Sequence, residues 1–99
     1  MRHVLTITAD TTDDAIEEAI PFRDMQGEAR VYRDRLAAIE ADAGGYEVHD
    51  DGAVVALFHP ALGGAIVNER GPGAGGSVYL GAGEVETVEE AVARWRRVV

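Results

Sequence analysis

The chain has no cysteine. That excludes disulfide staples, thiolate zinc sites, iron–sulfur clusters and cysteine nucleophiles, and leaves the redox compartment open. It has no lysine either: all nine basic residues are arginine, set against eighteen carboxylates for a formal net charge of −9. An arginine-only, acid-rich composition suits a GC-rich genome or a saline host without any functional cause. Such a surface repels phosphate backbones and anionic lipid headgroups, so direct nucleic-acid binding is not expected, whereas a protein partner with a basic surface is. Serine occurs once, at Ser77, outside any G-x-S-x-G elbow, and no Ser-His-acid triad can be drawn. The longest apolar run, 53–58, falls far short of the roughly 20 residues that cross a bilayer, and no basic segment followed by an apolar stretch opens the chain. The expectation is a cytoplasmic protein without membrane association.

What is present fits one ordinary core. Ninety-nine residues, 46% hydrophobic and 27% charged, suffice for a single globular domain over 1–99 and not for two. Residues 2–9 alternate as a strand, with Leu5 and Ile7 on one side. Thr11 and Asp14 have capping-box spacing ahead of an apolar stripe at Ala15, Ile16, Ala19 and Ile20, which Pro21 ends or kinks. Phe22, Met25, Ala29, Tyr32, Leu36, Ile39 and Ala43 recur at three-four spacing, predicting a helix that is secure over 28–43, with Gly27 weakening its start and Gly44-Gly45 stopping it. Such a stripe covers a sheet more readily than it forms a coiled-coil seam. Asp51-Gly52 marks a hairpin between 46–49 and 53–58, and 65–68 and 77–80 read as strands around a glycine-rich loop. Thr87 with Glu90 caps a closing helix whose stripe is Val88, Ala91, Val92, Trp95 and Val99.

The predicted fold is therefore α+β, a single antiparallel sheet of about four to five strands packed by helices in the order β-α-β-β-β-β-α. Its expected core comprises Leu5, Ile7, Ile16, Ile20, Leu36, Ile39, Val55, Leu57, Ile66, Val78, Leu80, Val88, Val92 and Trp95.

Four groupings carry possible chemistry. His49, Asp50, Asp51 and His59 have the donor types of a divalent transition-metal or acid–base site if they converge, but aspartates at a turn and a histidine before proline are also ordinary turn chemistry. Weak metal candidates are thus His49, Asp51 and His59, with no metal or other cofactor assigned. Residues 71–76 match G-x-G-x-x-G without the following helix that a dinucleotide needs, leaving Arg70 as a weak anion candidate. Paired carboxylates are plentiful in any acidic chain and do not imply catalysis. Asp13, Asp14, Glu17 and Glu18 form an acidic run suited to steering a basic partner, and equally suited to a helix start.

The expectation is a non-enzymatic acidic protein-binding domain, an accessory or inhibitory protein of immunity or mobile-element type that docks a basic surface through Asp13, Asp14, Glu17 and Glu18. Residues 81–92, GAGEVETVEEAV, with the strand-helix-strand order before them, are loosely similar to small immunity proteins that neutralise bacterial toxins. The alternatives are a small-ligand or metal-binding domain built on the His49/Asp50/Asp51/His59 region, and a structural homo-oligomer such as a viral accessory protein.

Overall fold

The computed structural model describes residues 1–38, 45–70 and 77–98. Among these residues eight elements follow one another: β1 (Arg2–Ile7), α1 (Asp13–Ala19), α2 (Arg23–Ala38), β2 (Tyr46–Asp50), β3 (Val54–His59), β4 (Gly64–Glu69), β5 (Val78–Leu80) and α3 (Val88–Val98). The strands form one antiparallel meander in the order β1-β2-β3-β4-β5. The α+β class and the single helix-packed sheet are as the sequence predicts, except that Pro21 divides the first helical region into two helices, giving β-α-α-β-β-β-β-α.

The helices cover both faces of the sheet. Ile16, Ala19 and Ile20 of the α1 segment and Met25 and Ala29 of α2 pack with Ile7, Val48, Val55, Leu57 and Ile66 on one face. Val88, Ala91, Val92 and Trp95 of α3 pack with Val54, Ala56, Phe58, Ala65 and Val67 on the other. Strand β3 lies in the middle and all six of its residues are buried. A strand covered on both sides reads as a continuous apolar run, not an alternating one, which is the physical cause of the 53–58 pattern.

Local details depart from the sequence reading in three places. Thr12, not Thr11, caps α1, its hydroxyl accepting from the Ala15 N–H at 3.2 Å, while the Thr11 hydroxyl accepts from the Thr8 N–H at 2.8 Å. Helix α2 begins at Arg23 and runs through Gly27, because burying Met25 and Ala29 outweighs one glycine's helix penalty of about 1 kcal/mol. Of the residues expected in the core, Leu5, Leu36, Val78 and Leu80 are half-buried, with Leu5, Val78 and Leu80 packed against its edges. Leu36, near the end of α2, belongs to neither core cluster among the described residues. Ile39, Ala43, Gly44, the 71–76 loop and Val99 lie outside the described residues.

At the other end of the chain Glu90 N–H donates to the Thr87 hydroxyl at 3.1 Å. The Glu90 carboxylate accepts from Glu86 N–H at 3.1 Å, a capping box shifted by one residue on its return bond.

Candidate functional site

The acidic run is partly consumed within the fold. Arg33 donates to the Asp13 carboxylate, Arg30 approaches Asp13 at 3.6 Å, and Arg30 donates to Glu17 at 2.9 Å. Asp13 and Glu17 therefore tie α1 to α2, and the Arg33 hydrogen bond, with its charge, lowers the Asp13 pKa below the usual carboxylate value. Asp14 and Glu18 are exposed and make no ion pair among the described residues.

The histidine–aspartate grouping does not converge. His49 faces the α3 side of the sheet, where it stacks on His3 with ring centroids 5.1 Å apart and its Nε2 is hydrogen-bonded to Glu47 at 2.8 Å. Its Nδ1 is buried without a partner among the described residues. His59 faces the α2 side, edge-on to Tyr46. Alternation explains the separation: Val48 opposite Leu57 and His49 opposite Ala56 set the register, so 49 and 59 differ by an even count within their chain but lie across an intervening turn that reverses the parity. Asp51 accepts from Ala53 and Val54 N–H at 2.9 and 2.7 Å, bonds that lower its pKa, Val54 first. Asp50 accepts from Gly52 N–H at 2.7 Å and pairs with Arg70, the weak anion candidate. Among the described residues no group of three or more histidine, aspartate or glutamate side chains is arranged to hold a metal.

The structure instead gathers residues that the sequence leaves scattered. A cleft of about 400 Å³ opens between the later turns of α2 and the β3-β4-β5 half of the sheet. All three tyrosines of the chain line it: Tyr32 from α2, Tyr46 from β2 and Tyr79 from β5. Tyr32 and Tyr46 stack in parallel at 4.3 Å and 7°, and His59 meets Tyr46 at 4.4 Å and 81°. Leu57 and Ile66 form the apolar floor, and Leu62 and Tyr79 are 50% and 60% exposed on its rim. Burial raises the pKa of Tyr32 and of Tyr46, so both hydroxyls stay hydrogen-bond donors at neutral pH, as tyrosines ordinarily do.

The far wall is held by glycine. Gly63 has φ +72°, and a Cβ there would lie 2.5 Å from the Val85 carbonyl oxygen. This close approach lets Gly83 N–H donate to Leu62 O at 2.6 Å and Val85 N–H to Gly63 O at 3.0 Å, fixing the β3–β4 turn against residues 81–85. In the same turn Leu62 N–H donates to His59 Nδ1 at 3.0 Å. That bond makes Nδ1 the acceptor nitrogen, so it is engaged and closed to service as a general base.

The aromatic wall escapes sequence reading because its members sit on three different elements. Tyr32 belongs to an apolar helix stripe and Tyr46 to a strand alternation, so each has a sufficient local explanation. The one available signal is that tyrosine, with an apolar ring and a polar tip, favours half-buried positions. No protein-family model, curated protein or solved structure matches the chain, so no relative's site residues can be carried onto this cleft.

Proposed function

We propose that the chain is a non-enzymatic binding domain whose ligand is a small planar molecule held in the tyrosine-lined cleft. The observation that carries this reading is the convergence of all three tyrosines, with exposed Leu62, around an apolar floor. Ligand sites occupy roughly 300–1,000 Å³, mostly apolar with a few polar groups, and this cleft fits both criteria. Two of the large apolar side chains left exposed by the fold share its rim, an arrangement that marks a recognition surface better than scattered exposure does. The stacked Tyr32–Tyr46 pair is already ordered by its neighbours, which lowers the entropic cost of binding. The test is the unfolding midpoint with 2-naphthylmethanol and 2-naphthoate at millimolar concentration, in the unmutated chain and in Tyr79→Ala. Bound ligand raises stability by mass action, so the midpoint should rise with at least one compound and rise less in the variant. No rise with either compound, or an equal rise in both proteins, sinks the proposal.

A second reading, the acidic face docking a basic protein, is favoured by Asp14 and Glu18 standing exposed and without an ion pair among the described residues. Asp13 and Glu17 brace the helices, so the informative variant is Asp14→Asn with Glu18→Gln. A basic protein that associates more slowly with this variant at low salt, and equally at high salt, supports the reading through electrostatic steering; equal rates at both dismiss it.

A further inference from the structure

We infer that the cleft selects a planar aromatic carboxylate, with Arg35 as its counter-ion; this inference rests on the cleft being a ligand site. Among the described residues that line the cleft, Arg35 is the one charged group. The chain holds twice as many carboxylates as arginines, and Arg30, Arg33, Arg70 and Arg94 each have a carboxylate within reach. Arg35 has none among the described residues, in common with Arg2, Arg23, Arg96 and Arg97, and of those five it alone lines the cleft. Its place in the last turn of α2 suits the helix dipole, but the dipole spreads its charge over several carbonyls and leaves the guanidinium's forked donors open to a carboxylate.

Among the described residues the acidic groups nearby do not fill that role. Glu28 is felt by the Tyr32 hydroxyl, but it lies seven residues before Arg35 on the same helix, about 10 Å of rise away. Glu84 accepts from Gly81 N–H and lies 3.7 Å from Arg94, so it is engaged on the other side of that loop. The net charge of −9 opposes any anion, but distant carboxylates are screened over about 8–10 Å at physiological salt, whereas a guanidinium in contact is not. The phenol hydroxyls of Tyr32 and Tyr46, protonated at neutral pH as tyrosines ordinarily are, supply donors of the same preference, and the exposed Tyr79 and the Leu57–Ile66 floor take the aromatic body.

The test is calorimetric titration of the full chain with 2-naphthoate, 2-naphthylmethanol and 2-naphthylmethylamine, and of Arg35→Gln with the same three. Glutamine retains helix propensity, and the unfolding midpoint without ligand checks that the variant is folded. The expected result is that naphthoate binds tightest and the amine weakest, and that Arg35→Gln weakens naphthoate by about tenfold or more, the range for a lost charge-assisted hydrogen bond, while leaving the alcohol unchanged. Equal affinity of acid and alcohol in the unmutated chain overturns the carboxylate preference while leaving the cleft a ligand site. Equal weakening of both by Arg35→Gln overturns Arg35 as the counter-ion. Failure of all three compounds to bind removes the ligand site itself.

Discussion

Gly63 and Asp51 fix the turns at the two ends of β3, Gly63 next to the cleft and Asp51 in the β2–β3 hairpin at the far end. At Gly63 the left-handed φ of +72° and the crowding of the Val85 carbonyl act together, since a side chain is disfavoured by the first and has no room because of the second. Gly63→Ala should cost about 1–3 kcal/mol, the range for a strained backbone residue, read as a lower urea midpoint at unchanged slope. Asp51 accepts two backbone N–H groups in the turn, and its pKa is lowered in the fold. A lowered pKa contributes stability above the ordinary carboxylate value, lost as pH falls through the folded-state value. Asp51→Ala should therefore destabilise by about 0.5–2 kcal/mol at neutral pH, like loss of a cap, with a gap that closes on acidification below about pH 4. A gap independent of pH would mean that the charge contributes nothing. Residue-level chemistry of this kind was legible: Asp51-Gly52 announces its turn, and Gly52 has φ +92°. Gly63 was not, because the need for it comes from residues 81–85, which pack against it only in the folded chain.

Elements were legible where their pattern had one physical cause. The run at 53–58 reports a strand buried on both faces, and the Thr87–Glu90 spacing reports the start of α3. Helix α2 was harder, because propensity at Gly27 opposes packing at Met25, and packing wins. The described surroundings leave space at Gly27, with nothing within 4 Å of an added Cβ and no positive φ. Gly27→Ala should accordingly stabilise by about 0.5–1 kcal/mol, seen as a raised thermal midpoint; a fall would mean that the helix start is held by contacts alanine disturbs. Core depth gives a second contrast along the same layer. Leu57 is 1% exposed, so Leu57→Ala should cost about 2–5 kcal/mol. Half-buried Leu36 should cost less than about 2 kcal/mol, because fewer atoms leave the packed interior. Equal losses in denaturant unfolding would place Leu36 in the core after all.

At the scale of the whole molecule, the arrangement turns on unequal cover. Helices α1 and α2 bury Val48, Val55 and Leu57, and beyond them β4 and β5 present Ile66 and Tyr79 to an open cleft. Sequence periodicity reports which face of a strand is apolar but not how far a covering helix extends over its neighbours, so the sheet was legible and the cleft was not. The same limit separates His49 from His59: both flank one hairpin in the chain, and only the register shows them on opposite faces. Charge distribution follows a similar logic. The acidic run was legible as composition, while its division into bracing residues, Asp13 and Glu17, and ones with no ion pair among the described residues, Asp14 and Glu18, required the helix-to-helix geometry. The most direct measurement is an NMR titration of the labelled protein with 2-naphthoate, following backbone and aromatic signals residue by residue. The tyrosine cleft predicts saturable shifts centred on Tyr32, Arg35, Tyr46, His59, Leu62 and Tyr79, with α3 and the His3–His49 face unmoved. Shifts centred on α1 or α3, or none at saturating ligand, would contradict it.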